Sequence, residues 1–177
     1  ARYGLVTREH ARREGVAWDE LFAVYDRWEV MGKVRWGYFI QGLPGVQYAL
    51  PEAVERLRRP PEEKEPEYWA LLRCDPANPY GSLFPLPVAG LQVEAVVFRR
   101  GEPILAAGGR KMKIVPLVEP KEDELQGALA ALMRLLGRRG RLRVAEFAGR
   151  PVLETEAAAL LAEMGFERVY REMVKWA

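Results

Sequence analysis

The chain has 177 residues, 49% of them hydrophobic, enough to bury a full core in one large or two small domains. It contains no run of about 18 apolar residues and its first residues lack a signal-peptide pattern, so neither a membrane-spanning helix nor a secretory leader is expected. A net charge of +2 does not by itself mark a polyanionic partner. The first residue is Ala, and the chain reads as a piece excised from something longer. One cysteine, Cys74, excludes an internal disulfide and fits a reducing, cytoplasmic compartment. Cys74 and the single histidine, His10, cannot make a zinc site of the usual types, so no metal is expected and both read as bystanders. Arginine greatly outnumbers lysine and Asn78 is the sole asparagine, a bias that suits a thermophile or a GC-rich genome.

In chain order, Thr7 is a fair N-cap for a short helix ending at Gly15. Asp19 to Lys33 follows as a longer helix, with Asp19 as its cap, Leu21, Val24, Tyr25 and Trp28 at helical spacing, and Gly32 as its stop. Lys33 to Leu50 then reads as a hairpin. Val34, Trp36, Tyr38 and Ile40 alternate with Arg35, Gly37, Phe39 and Gln41, and beyond the Gly42–Gly45 turn Val46, Tyr48 and Leu50 alternate with Gln47 and Ala49. This pattern predicts Trp36, Tyr38 and Val46 facing inward, with Arg35, Gln41 and Gln47 accessible. Short helix, turn, longer helix and hairpin make a winged helix-turn-helix. The longer helix exposes Asp26 and Glu29 beside Arg27, which does not suit close approach to phosphate.

Residues 52–59 form a brief charged helix, and residues 60–66, PPEEKEP, are a linker by composition. The expected organisation is therefore a winged-helix domain over 1–59, a linker over 60–66 and an α+β, β-barrel-like domain over 67–177.

In the second domain Tyr68 to Cys74 reads as a strand that enters Asp75-Pro76-Ala77-Asn78-Pro79-Tyr80-Gly81. The two prolines fix the backbone, and Asp75 and Asn78 can each close an Asx turn. The stretch is a rigid structural turn, or one that presents Asp75, Asn78 and Tyr80 in fixed positions. Strands follow at Leu91–Arg99, Pro103–Ala107 and Lys111–Val118, then an amphipathic helix at Lys121–Leu136. Gly108-Gly109-Arg110 lacks the surroundings of a phosphate-binding loop, and no Walker A motif occurs, so no ATP hydrolysis by that route is expected. Arg134, Arg138, Arg139, Arg141, Arg143 and Arg150 are the densest basic run, open to a structural or a phosphate-binding reading. A last helix covers Glu154–Gly165, and Phe166–Trp176 reads as a terminal strand.

Asp75 to Gly81, DPANPYG, resembles a signature of the C-terminal region of bacterial large helicase-related (Lhr) proteins. Leu5 to Glu9 is similar to that family's "VLTRE". Gly37-Tyr38-Phe39, Gly42-Leu43 and Gln47 to Pro51 are similar to its "GYF…GL…Q[FY]ALP" hairpin, and Ala157 to Phe166 to its last helix and "GF". The resemblance implies a C-terminal piece of an ATP-dependent helicase that moves 3′ to 5′ on single-stranded DNA in DNA repair. ATP and magnesium would belong to upstream motor domains, and this chain would carry no cofactor. The family's C-terminal region also resembles bacterial DNA glycosylases of tandem winged helices and a β-barrel. Those use a Gln-x-Gln pair, whereas Gln41 and Gln47 here stand apart, and Val115-Pro116 replaces a Leu-Trp of the family pattern.

Three functions compete. The first is a nucleic-acid-binding accessory module that contacts single-stranded DNA or a DNA/RNA hybrid without sequence preference. It would use Lys33, Arg35, Phe39 and Gln41 on the hairpin and Arg138, Arg139 and Arg141 in the second domain. The second is a base-excision module with Asp75 and Asn78 as catalytic candidates. The third is an architectural interface with the upstream helicase domains or another copy. Because residues 60–66 are too poor in apolar surface to order themselves, limited proteolysis should cut there first. Cleavage confined to Gly137–Gly140 would contradict the two-domain reading.

Overall fold

The computed structural model describes residues 3–59, 68–80, 83–86, 88–137 and 140–176, with nothing stated for the side chain of Glu122. The chain divides into two compact units, Ala1–Glu63 and Lys64–Ala177. The linker expected over residues 60–66 lies outside the described residues, as do Gly81, Arg138 and Arg139.

The first unit runs β1 (Leu5–Val6), α1 (Arg8–Arg13), α2 (Trp18–Val30), β2 (Arg35–Gly37), β3 (Gln47–Ala49) and α3 (Pro51–Arg58). Thr7 caps α1 as its sequence position predicts. The cap is reciprocal. The His10 backbone N–H donates to Thr7 Oγ1 at 3.4 Å, and the Thr7 backbone N–H donates to His10 Nδ1 at 3.3 Å. His10 thus takes the place that Glu or Gln fills in the usual capping box. It is buried and packs on the Tyr3 ring at 4.7 Å, so it is a structural residue rather than a bystander. Helix α2 begins one residue before Asp19, with Ala17 at the cap, and Asp19 lies in its first turn. Gly32, at φ +70°, follows the helix end in the left-handed conformation that stops it.

The sheet of this unit has three strands in the order β1-β3-β2, all antiparallel, with Leu5 opposite Ala49 and Arg35 also opposite Ala49. β3 is therefore central and all three of its residues are buried, whereas β2 is an edge. This corrects the one-sided alternation expected of the hairpin. Trp36 and Tyr38 are 56% and 73% exposed, and Gln47 is fully buried. The alternation presumes a hairpin with one wet face, but both faces of β3 are covered: rings of α2 pack on Tyr48, and the loop between β2 and β3 folds over Gln47.

The second unit contains β4 (Tyr68–Leu72), β5 (Val93–Arg99), β6 (Glu102–Gly108), β7 (Met112–Pro116), α4 (Glu122–Leu136), β8 (Arg141–Phe147), β9 (Arg150–Pro151), α5 (Ala157–Glu163), β10 (Glu167–Val169) and β11 (Glu172–Trp176). The strand expected over Phe166–Trp176 is a hairpin, β10–β11, turning at Tyr170 with φ +54°. The sheet order is β10-β11-β8-β7-β6-β5-β4 with β9 beside β8, and every pairing is antiparallel except β7 with β8. That parallel pair is joined through α4, since parallel neighbours need a crossover.

Among the described residues the sheet is open, with edges at β4 and β10, and not the barrel-like closure expected. Both faces are buried without closing it. On one, Leu125, Leu129, Leu132 and Leu136 of α4 and Leu161 of α5 pack on Ala95, Val97, Leu105 and Ile114. On the other, Val93, Val96, Phe98 and Ala106 are covered by Tyr80, Leu86, Val88, Leu91 and Leu117. Glu124 of α4 pairs with Arg99 of β5, fixing the helix across the sheet.

Burial pushes the His10 pKa below the usual histidine value, and Arg13 acts in the same direction against Glu9 and Glu14. The unfolded chain therefore binds a proton more readily. The contribution of His10 is intact above about pH 6.5 and is lost as pH falls below it, until both states are protonated. In urea melts between pH 5 and 8, His10→Gln, which keeps an acceptor for the Thr7 N–H, should remove this part of the acid slope. An unchanged slope would show that other groups produce it.

Candidate nucleic-acid interface

Between β2 and β3 the chain makes a wing loop, residues 38–46, held by one side chain. Gln47 Oε1 accepts the backbone N–H groups of Phe39 at 2.9 Å and Ile40 at 2.8 Å. Its Nε2 donates to the carbonyls of Ile40 and Leu43, both at 3.2 Å. A buried amide demands partners for its two N–H groups and its carbonyl, and a loop without strand pairing has backbone groups to offer. The loop is thereby fixed while its outer side chains stay in solvent. Lys33, Arg35, Trp36, Tyr38 and Gln41 are exposed, and Phe39 is half-buried. The wing therefore shows two cations, two large aromatic rings and an amide on or beside one short edge strand.

Helix α2 is positioned by Tyr48, the central residue of β3. Tyr25 stacks on the Tyr48 ring at 5.1 Å, Phe22 meets it edge-on at 6.1 Å and Trp18 lies at 6.3 Å. Burial raises the Tyr48 pKa, and Asp26 and Glu29 of α2 add to the rise. Of these acids Asp26 is exposed, and Glu29 is half-buried rather than exposed as its sequence position suggests. Helix α2 has no buried residue, and Phe22, Val24, Trp28 and Val30 are exposed.

In the second unit the Asp75–Tyr80 stretch closes on itself. Asp75 Oδ1 accepts the Ala77 N–H at 2.8 Å, and Asn78 Oδ1 accepts the Tyr80 N–H at 2.9 Å. The Asn78 amide also donates to the Leu72 carbonyl at 3.2 Å, and its side chain is fully buried. These are the Asx turns that the residue types predict. They deliver Tyr80 to the second core, against Phe84 at 5.6 Å and Phe98 at 5.8 Å. The carbonyl and one amide donor of Asn78 are thus committed to the fold, and Asp75 is half-buried at the turn's start.

Several residues of the basic run have protein partners. Arg134 donates to the Tyr68 carbonyl, Arg150 to the Glu154 carbonyl, and Arg143 binds Glu172 through Nε at 2.7 Å and a terminal nitrogen at 2.6 Å. Lys111 joins the same Glu172 carboxylate at 2.9 Å, and Lys113 pairs with Glu146. The Lys111 hydrogen bond foremost, with Arg143, holds Glu172 below the usual carboxylate range against the opposing effect of burial. Arg141 is exposed at the start of β8 with its guanidinium 4.4 Å over the Trp176 ring.

Comparison with known proteins bears directly on the wing. Residues 1–69 match the family described as "Large helicase-related protein, winged-helix domain". They are an Lhr winged-helix region. The chain is also 32% identical over 175 residues to the "Lhr helicase/ probable uracil glycosylase" of Mycolicibacterium smegmatis, an alignment covering 89% of this chain and 12% of that protein. It is 31% identical over 184 residues to the "Lhr helicase/uracil glycosylase" of Escherichia coli, covering 93% of this chain and 12% of the relative. The chain thus spans about 12% of the length of these Lhr relatives.

The hairpin's period-two alternation does not pick out Gln47, because it reads the residue as outward and wet. The available signal is its place two residues after Gly45, closing a Gly/Pro loop with few strand partners of its own. Trp36 and Tyr38 are missed as exposed groups for the converse reason. Gln47→Leu keeps the volume but strands the amides of Phe39 and Ile40 and the carbonyls of Ile40 and Leu43. It should cost about 2–4 kcal/mol, read as a fall in the denaturant midpoint. A loss below about 0.5 kcal/mol would mean that water satisfies the wing loop equally well.

Proposed function

We propose that this chain is a sequence-tolerant nucleic-acid-binding module of an Lhr-type helicase, working in the bacterial cytoplasm in DNA repair. Its motor, driven by ATP and magnesium and moving 3′ to 5′, belongs to the remainder of such a protein. The observation that carries this reading is the Lhr winged-helix region whose rigid wing holds Lys33, Arg35, Trp36, Tyr38 and Gln41 in solvent. Lysine and arginine take backbone phosphates, and aromatic faces stack on bases of any identity. The acids of α2 oppose groove entry by that helix, which argues against reading base edges. Single-stranded DNA or a DNA/RNA hybrid is the partner this combination suits, with Phe39 steadying the wing and Arg138, Arg139 and Arg141 as further phosphate contacts.

A base-excision role enters through the names of the two relatives, both of which include uracil glycosylase. It draws less support from this chain, since Asn78 is spent on the Leu72 carbonyl and the Tyr80 N–H. Abasic sites formed in a uracil-containing oligonucleotide, and lost in Asp75→Asn, would reverse that order. The architectural reading rests on the exposed Phe22, Val24, Trp28 and Val30 of α2, which suit contact with other domains of the protein.

Anisotropy of labelled oligonucleotides across a salt series tests the proposal. Binding should weaken steeply with salt, and Lys33→Ala with Arg35→Ala should lower the slope by roughly 0.7 per lost phosphate contact on a single strand, alike for unrelated sequences. Trp36→Ala with Tyr38→Ala should weaken binding while leaving the slope unchanged. Affinity that ignores salt, or no binding at all, would sink the proposal and move the architectural reading ahead.

A further inference from the structure

The second unit has a pocket of about 150 Å³ where the β6–β7 turn meets the start of β8. Gly108 ends β6, Gly109 and Arg110 come from the turn, Arg141 and Arg143 from β8, and Glu94 from β5. Pockets that enclose a whole small molecule run to roughly 300–1,000 Å³, so this one suits a single group rather than a nucleoside.

Its charge is positive. Arg141 and Arg143 stand two apart on β8 and so share a face, while Leu142 and Val144 between and beyond them are buried. Both guanidinium groups are held before any ligand arrives: Arg141 by the Trp176 ring, and Arg143 by Glu172, which leaves it further donors. Arg110 is exposed and has no ion-pair partner among the described residues. Glu94 is the sole carboxylate among the described lining residues, and it is engaged rather than free. Leu136, the last residue of α4, also lines the pocket, so the carbonyl end of that helix lies near and offsets part of the positive charge. Counting Lys111 and Glu172 behind them, four cations still face two carboxylates.

Glycine is required at the floor. A Cβ on Gly108 would fall 2.0 Å from the Gln92 carbonyl oxygen and 2.9 Å from the Glu94 nitrogen, so a side chain there would push β6 away from β5. The close approach fixes the end of β6, from which the Arg110 turn departs, against β5. The basic run then has a division of labour. Arg134 and Arg150 bind backbone carbonyls of their own unit, while Arg141 and Arg143 join Arg110, distant in sequence, around one recess.

We propose that this pocket is a phosphate-binding site, formed by Arg110, Arg141 and Arg143, through which the second unit grips one phosphodiester of a nucleic-acid strand. The inference rests on the nucleic-acid reading above for the source of the phosphate, and adds a site in the second unit that the wing does not supply. Arginine's planar fork suits two oxygens of one phosphate, and preset guanidinium groups lose little freedom on binding.

The test uses the full chain with Arg110→Ala and Arg141→Ala combined, and Arg168→Ala with Arg171→Ala as a control of equal charge outside the pocket. For a labelled deoxythymidine oligonucleotide, the pocket variant should bind roughly three- to tenfold more weakly near 0.1 M salt, with the slope lower by about 0.7. The control should change affinity less than about twofold, and Arg110→Lys with Arg141→Lys should keep most of the slope. In parallel, inorganic phosphate at matched ionic strength should raise the thermal midpoint of the wild type and of the control, but not of the alanine pocket variant. If the wild type binds the oligonucleotide and the pocket variant matches the control, the pocket proposal is overturned and the wing reading stands. If no oligonucleotide binds yet phosphate stabilises through Arg110 and Arg141, the pocket stands as an anion site and the nucleic-acid reading falls. Phosphate stabilisation that survives in the pocket variant would also overturn the site.

Discussion

Gln47, Tyr48 and Ala49 are all buried: β1 and β2 take both edges of β3, while the rings of α2 cover Tyr48 and the wing loop folds over Gln47. With successive side chains on opposite faces, each buried residue of the strand must find its partner indoors on its own side. Ala49 needs only space. Tyr48 gathers the rings of Trp18, Phe22 and Tyr25, and so seats α2. Gln47 cannot be buried without hydrogen bonds, and the wing loop lacks ladder partners, so each need meets the other. The rigidity of the wing and the placement of the helix thus both follow from the burial of one strand.

Asn78 repeats the device in the second unit. A lone buried amide joins the end of β4 to the turn that carries Tyr80, and Tyr80 seals the sheet face that the helices do not reach. In both units the conspicuous polar residues of the hairpin and of the Asp75–Tyr80 stretch serve the backbone. The groups left for a ligand are cations and rings at edges: Lys33, Arg35, Trp36 and Tyr38 beside β2, and Arg110 and Arg141 at the mouth of a recess.

Local chemistry was readable from the residues. The Thr7 cap, the Gly32 stop, the Asx turns of Asp75 and Asn78, and the four leucines on one face of α4 follow from rules spanning a few positions. What escaped depends on pairings between distant residues. Leu5–Val6 carries too little pattern to announce a strand, yet its pairing makes β3 central, and the contacts of Tyr48 with α2 and of Gln47 with the wing loop then bury both faces of that strand. The expected barrel fails for a similar reason: periodicity shows that strands have two buried faces, but not whether closure or covering segments bury them. The basic run is one block in sequence, whereas space sorts it into arginines that mend the fold and arginines that line a pocket with Arg110. Composition cannot perform that sorting.

The order of the second sheet also bears on how the unit comes together as it is synthesised. β5, β6 and β7 pair as successive antiparallel neighbours through tight turns, so these contacts are short in sequence and quick to form, whereas β4 reaches β5 across the longer segment that holds Asp75–Tyr80. The parallel partner β8 arrives only after the fifteen residues of α4, and β11 docks on β8 later still. A nascent meander of four strands would hold Ala95, Val97, Leu105 and Ile114 on a bare apolar face until α4 emerges to lie across it. The leucine stripe of α4 is therefore what that face lacks until the helix is synthesised, as well as half of the finished core.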